Sequence, residues 1–129
     1  MKDLGKSRYE SGFEKLSEVD GEQGDKVIKS LNDIAPDLGK FIIEFAFGDI
    51  YTRPVLDLKQ RELITISSLA SLGGTENQLR VHINGALNVG VTPDEIVEVF
   101  IQCIPYVGFP RVLNAVAVAK EVFKNREII

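Results

Sequence analysis

An all-α fold is expected for this chain on three observations. Apolar residues recur every three or four positions through most of the sequence, the period of a helix with one buried face. Helix starts and stops punctuate it, most clearly Thr92-Pro93-Asp94-Glu95 as a start and Gly73-Gly74 and Gly90 as stops. No segment reads as a pair of strands. About six to seven helices joined by short connections favour antiparallel neighbours in a bundle.

The elements follow in order. Ser7–Val19 is expected to be an amphipathic helix with Tyr9, Phe13 and Leu16 on one face, and the turn-rich run Asp20-Gly21-Glu22-Gln23-Gly24 breaks it. A short second helix, roughly Asp25–Ile34, presents Val27, Ile28 and Leu31. Pro36 suits the first turn of a third, where its missing N–H has no partner to lose. That helix, about Pro36–Ile50, carries Leu38, Phe41, Ile42, Phe45 and Ala46 on a broad apolar face. Arg53-Pro54-Val55-Leu56 reads as an extended connector. Asp57 is a good N-cap for the fourth helix, about Leu58–Leu72, with Gln60 where a capping box takes Glu or Gln. This helix is apolar on most sides (Leu63, Ile64, Ile66, Leu69, Ala70, Leu72), as in the middle of a bundle or at a subunit interface.

Thr75 with Gln78 repeats the cap pattern for the fifth helix, about Glu76–Val89. The sixth, starting at Thr92, carries Ile96, Val99, Phe100, Cys103 and Val107 at helical spacing. Pro105 removes the hydrogen bond to the Ile101 carbonyl, so a bend is expected there, with Gly108-Phe109-Pro110 as the break. The seventh, Arg111 to about Asn125, is expected to bury Val112, Leu113, Val116, Ala119 and Phe123.

Composition sets the boundaries of function. A chain of 129 residues is most simply one domain, 1–129, and its 44% hydrophobic and 26% charged residues are ordinary for a soluble protein. The segment MKDLGKSRYESGFEKL is charged throughout and is no secretory signal, and no apolar run reaches the ~20 residues of a membrane span. A cytoplasmic location is therefore expected, without membrane partners. The single cysteine, Cys103, excludes an intramolecular disulfide, and a net charge of −4 gives no reason to expect nucleic acid as a partner. With one histidine and one cysteine, a Cys/His zinc site within a chain is not expected.

The chemistry concentrates between Asp57 and Asn88. His82 is the only histidine and can serve as a general acid or base near neutral pH, or equally be a satisfied core residue. Glu62, twenty residues earlier, has apolar neighbours Leu63, Ile64 and Ile66, so one of its faces approaches the core; complementing the helix dipole is its simpler role. Arg53, Arg61, Arg80 and Arg111 flank these elements, and an anionic substrate would need one or two of them. Tyr106, in the break between helices six and seven, can point its hydroxyl into a pocket. Cys103 is a redox candidate, yet Ile101, Ile104 and Val107 around it favour a buried, inert thiol.

The words DLKQRELITI, RVHINGALNVGVTPDEIVEV and YVGFP, with Asn114 beyond, resemble the carboxymuconolactone decarboxylase family, which includes the AhpD-like alkylhydroperoxidases. The likeness runs from about Ala35 to Phe123, with residues 1–34 as N-terminal helices and 35–125 as the family core. It implies an AhpD-like helical bundle that assembles as a homo-oligomer, commonly a hexamer. It also implies a choice between two chemistries. The peroxidase branch uses Cys-x-x-Cys-x-x-x-His; counted back from His82 its cysteine positions fall on Thr75 and Gln78, so that dithiol is missing. The decarboxylase branch converts 4-carboxymuconolactone, a small anionic compound of aromatic catabolism, to an enol-lactone and CO₂ without a cofactor. The family's histidine falls on His82 and its glutamate on Glu62, with Arg53 or Tyr106 to hold the substrate's anionic groups. A single-thiol redox protein and a non-catalytic helical oligomer that binds a small molecule are the alternatives.

Overall fold

The structure, a computed structural model, describes residues 5–129; the first four residues of the charged N-terminal segment lie outside them. Among the described residues there are seven α-helices and one π-helical segment, and no strand. The helices form two compact units, one ending at Leu58 and one comprising Lys59–Ile129. None is long and apolar enough to cross a membrane.

In the N-terminal unit, α1 (Arg8–Asp20) starts at Ser7, whose hydroxyl accepts the Glu10 N–H at 3.0 Å. It buries Leu16 and Val19, while Tyr9 and Phe13 stack on each other and stay partly exposed. The expected five-residue break shrinks to Gly21, whose φ of 55° suits glycine. Thus α2 runs Glu22–Ser30 rather than Asp25–Ile34. Gly24, expected in the break, lies inside α2, because there it lets the helix close onto the Leu16 side chain. The expected third helix is also divided. α3 covers Pro36–Phe41, and Ile42–Ile50 continues it with π geometry, the Tyr51 N–H reaching back five residues to the Ala46 carbonyl at 3.0 Å.

Two glycines let α1 meet the π segment backbone to backbone. A Cβ at Gly12 would sit 1.9 Å from the Ile43 carbonyl oxygen, and one at Gly48 would sit 2.8 Å from that of Arg8. The Arg8 guanidinium grips Asp49 through two parallel bonds of 3.1 and 2.7 Å across the same contact.

The second unit holds the main core, in which Ile66, Ile83, Ile96 and Phe100 have no exposed surface. It is built from α4 (Leu58–Leu72), α5 (Glu76–Asn88), α6 (Pro93–Val107) and α7 (Phe109–Asn125). Gly73 and Gly74, both at φ 72°, end α4, and Gly90 at φ 99° follows α5. Thr92 forms the expected capping box: its hydroxyl accepts the Glu95 N–H at 3.1 Å and its own N–H donates to the Glu95 carboxylate at 2.8 Å. Thr75 does not cap α5 with its side chain; its hydroxyl turns back to the Leu69 carbonyl at 2.7 Å, which ties the Gly73-Gly74 turn to the end of α4.

The expected three-residue break Gly108-Phe109-Pro110 shrinks to Gly108. α6 continues through Pro105 to Val107, since Pro105 is close enough to the end that only one carbonyl loses its donor, and Gly108 at φ 89° makes the turn alone. Pro110 falls in the first turn of α7, where a missing N–H costs nothing. The buried face of α7 is Val112, Ala115, Val118, Ala119, Val122 and Phe123. Leu113 and Val116, expected inside, are 63% and 37% exposed, because they lie on a neighbouring stripe of the helix.

Candidate functional site

His82 and Glu62 are brought together from α5 and α4. The ring nitrogen Nδ1 lies 3.1 Å from Oε2 of Glu62. Glu62 has no exposed side-chain surface, and His82 keeps about a fifth of its own, 21%. Helix phase explains the pairing. Glu62, Ile66 and Ala70, spaced by four, are the buried residues of α4. On α5, Leu79, Ile83 and Ala86 are buried and His82 flanks that face. An ionised carboxylate only accepts hydrogen bonds, so against it Nδ1 is the donor and Nε2 is the nitrogen left to exchange protons. A buried carboxylate behind a partly exposed imidazole thus fixes both the orientation and the tautomer of the ring.

The far side of α5 is clamped to α7. Arg80 bonds Glu121 at 3.1 Å, and Arg126 reaches the Asn84 side chain at 3.0 Å and that of Asn88 at 2.9 Å. Arg80, Asn84 and Asn88 recur every four residues, about 160° around the helix from His82 for the first two and about 120° for Asn88 by the 3.6-residue turn. These residues hold the rotation of α5, and the sequence reading missed Asn84, Glu121 and Arg126. The four-residue polar repeat was the available signal, but their partners lie about forty residues away in sequence.

Tyr106 and Cys103 are not brought to this pair. Arg53 is exposed in the connector of the N-terminal unit. Tyr106 is not in an interhelical break but in the last turn of α6, and is 79% exposed. It lines a groove of about 680 Å³ between α4 and α6, with Leu63, Ile64, Val99 and Cys103. Neither Glu62 nor His82 lines this groove, whose charged lining residues are Glu95 and Glu98. Cys103, expected to be buried, is half-buried, since the groove opens beside it. Among the described residues no three His, Cys, Asp or Glu side chains converge as on a metal ion.

The chain is similar to known proteins over most of its length. The sequence profile of the carboxymuconolactone decarboxylase family matches residues 36–121. The chain is 40% identical over 119 residues to the 4-carboxymuconolactone decarboxylase of Acinetobacter baylyi, spanning 92% of this chain and 88% of that one. It is 30% identical over 101 residues to an uncharacterised 15.0 kDa protein of the nqo9-nqo10 intergenic region of Paracoccus denitrificans, spanning 78% and 75% of the two chains. It is also 34% identical over 86 residues to the nitrosuccinic acid decarboxylase npaB of Metarhizium robertsii, covering 67% of this chain and 59% of that one.

Proposed function

This chain belongs to the carboxymuconolactone decarboxylase family, and from that premise we propose that it is a carboxy-lyase that removes CO₂ from a small carboxylated lactone without a cofactor. The observation that carries the reading is the bond between His82 and the fully buried Glu62. The decarboxylase names of two relatives, one acting on a lactone and one on nitrosuccinic acid, support the reaction class.

The chemistry needs few parts. The C–C bond to the leaving carboxylate breaks, and its electron pair flows into the conjugated lactone carbonyl. A donor beside that oxygen stabilises the developing dienolate. His82 is the proposed donor, and its proton is then delivered to carbon to give the enol-lactone, with solvent restoring the imidazolium. Glu62 positions the ring by holding Nδ1. Arg53 is the proposed holder of the substrate's anionic groups, by its charge and planar guanidinium. Tyr106 is less suited to that task, because its groove carries Glu95 and Glu98, which repel an anion.

We further propose a homo-oligomer, a hexamer by likeness to the family, in the cytoplasm. Ile64 at 51% and Leu72 at 66% exposure on α4 support burial against another subunit. The purified protein supplied with 4-carboxymuconolactone is expected to release one CO₂ per lactone consumed, followed as loss of lactone absorbance. Absence of turnover on that lactone would remove the substrate assignment.

A further inference from the structure

Two surfaces of the Lys59–Ile129 unit remain uncovered in a single chain. The first is the α4–α6 groove, apolar at Leu63, Ile64, Val99 and Val107, with Glu95 and Glu98 at the end where α6 begins. The second is the outer stripe of α7. Phe109 and Leu113 are 64% and 63% exposed there, and Val116 is 37% exposed. The same stripe continues into exposed Lys120 and Lys124 toward the C-terminal end. At about 100° per residue these five positions fall within an arc of roughly 80°.

The surfaces match in charge and in length. Glu95 to Tyr106 spans eleven residues of α6, and Phe109 to Lys120 spans eleven of α7, each about 16 Å at 1.5 Å per residue. We propose that α7 of a second copy of this chain docks in the α4–α6 groove, antiparallel to α6. Lys120 and Lys124 then meet Glu95 and Glu98, and Phe109 and Leu113 meet the Tyr106–Val107 end. The reversed orientation would set Phe109 between two carboxylates and the lysines on apolar surface. The two surfaces differ, so the contact is heterologous, and it forms a ring of subunits where the rotation between copies closes. This inference rests on the homo-oligomer proposed above and specifies which surfaces build it.

In this register position 113 of one copy lies beside Cys103 of the next. A Leu113→Cys variant, oxidised with copper phenanthroline under air, is expected to give disulfide-linked multimers on a non-reducing gel, and the added change Cys103→Ser abolishes them. Lys120→Glu is expected to weaken association at least about tenfold in sedimentation velocity, and Glu98→Lys in the same chain restores it. Circular dichroism checks that these exposed substitutions leave the helices intact. A stable oligomer that gives no Cys103 link and ignores the charge reversal overturns the docking mode while leaving oligomerisation standing. A wild-type protein that stays monomeric overturns both.

Discussion

At the scale of residues, the proposed function depends on one hydrogen bond, between His82 and Glu62. Glu62→Ala strips the imidazole of a buried partner and is expected to destabilise the fold by about 1–3 kcal/mol. Glu62→Gln keeps a side-chain acceptor but removes the charge that supports an imidazolium. It is expected to recover most of that stability yet not the turnover, as urea unfolding and CO₂ release would separate. The pair was legible through the family resemblance, whose histidine and glutamate fall on His82 and Glu62, and helix phase is consistent with it: Glu62 shares a face with Ile66 and Ala70, and His82 borders the face of Leu79 and Ile83. The surroundings of Tyr106 and Cys103 were not legible. A groove depends on how two helices are spaced, which no periodicity within one helix reports.

At the scale of elements, the strongest local signals gave the sharpest boundaries. The Thr92 capping box starts α6 as expected, and Thr92→Ala is expected to cost about 1 kcal/mol by thermal or chemical denaturation. The same cap has a sign in pH. The Thr92 backbone N–H, the Thr92 side chain and nearby Lys59 hold the Glu95 carboxyl below its ordinary range. The contribution of Glu95 is therefore complete above the ordinary glutamate value and lost as pH falls through the lowered one. Melting temperature against pH should fall more steeply in acid for the wild type than for Glu95→Gln. Where a boundary depends on tertiary contact, sequence reasoning stopped short. The π segment meets α1 where Gly12 of α1 and Gly48 of the segment bring two backbones into touch, and neither glycine reads as special in a helical pattern. Gly12→Ala should destabilise by at least the roughly 1–3 kcal/mol typical of overpacking, because the Ile43 carbonyl it meets is backbone and cannot swing aside. Pro105 leaves α6 helical to Val107, because its local cost is small so near the end of the helix.

At the scale of the whole molecule, one chain leaves Phe41, Phe45, Ile64, Leu72, Phe109 and Leu113 each at least half exposed. Scattered apolar residues are ordinary on a surface, but stripes at helical spacing on α4 and α7 are not needed by a monomer. Sedimentation equilibrium is expected to show an oligomer that persists on dilution to micromolar chain; a monomer at all concentrations would contradict the assembly. The all-helical class was legible from periodicity and caps, whereas the proposed covering of these stripes by a second chain is not encoded locally in one sequence. Assembly, however, is only the setting for the reaction. The most direct measurement compares CO₂ release from 4-carboxymuconolactone by the wild type and His82→Gln, both shown to be folded and equally assembled. With His82 as the proton donor, the variant should be slower by about 10²–10⁴-fold. Equal rates would contradict the role of His82 and with it the acid/base reading of the site.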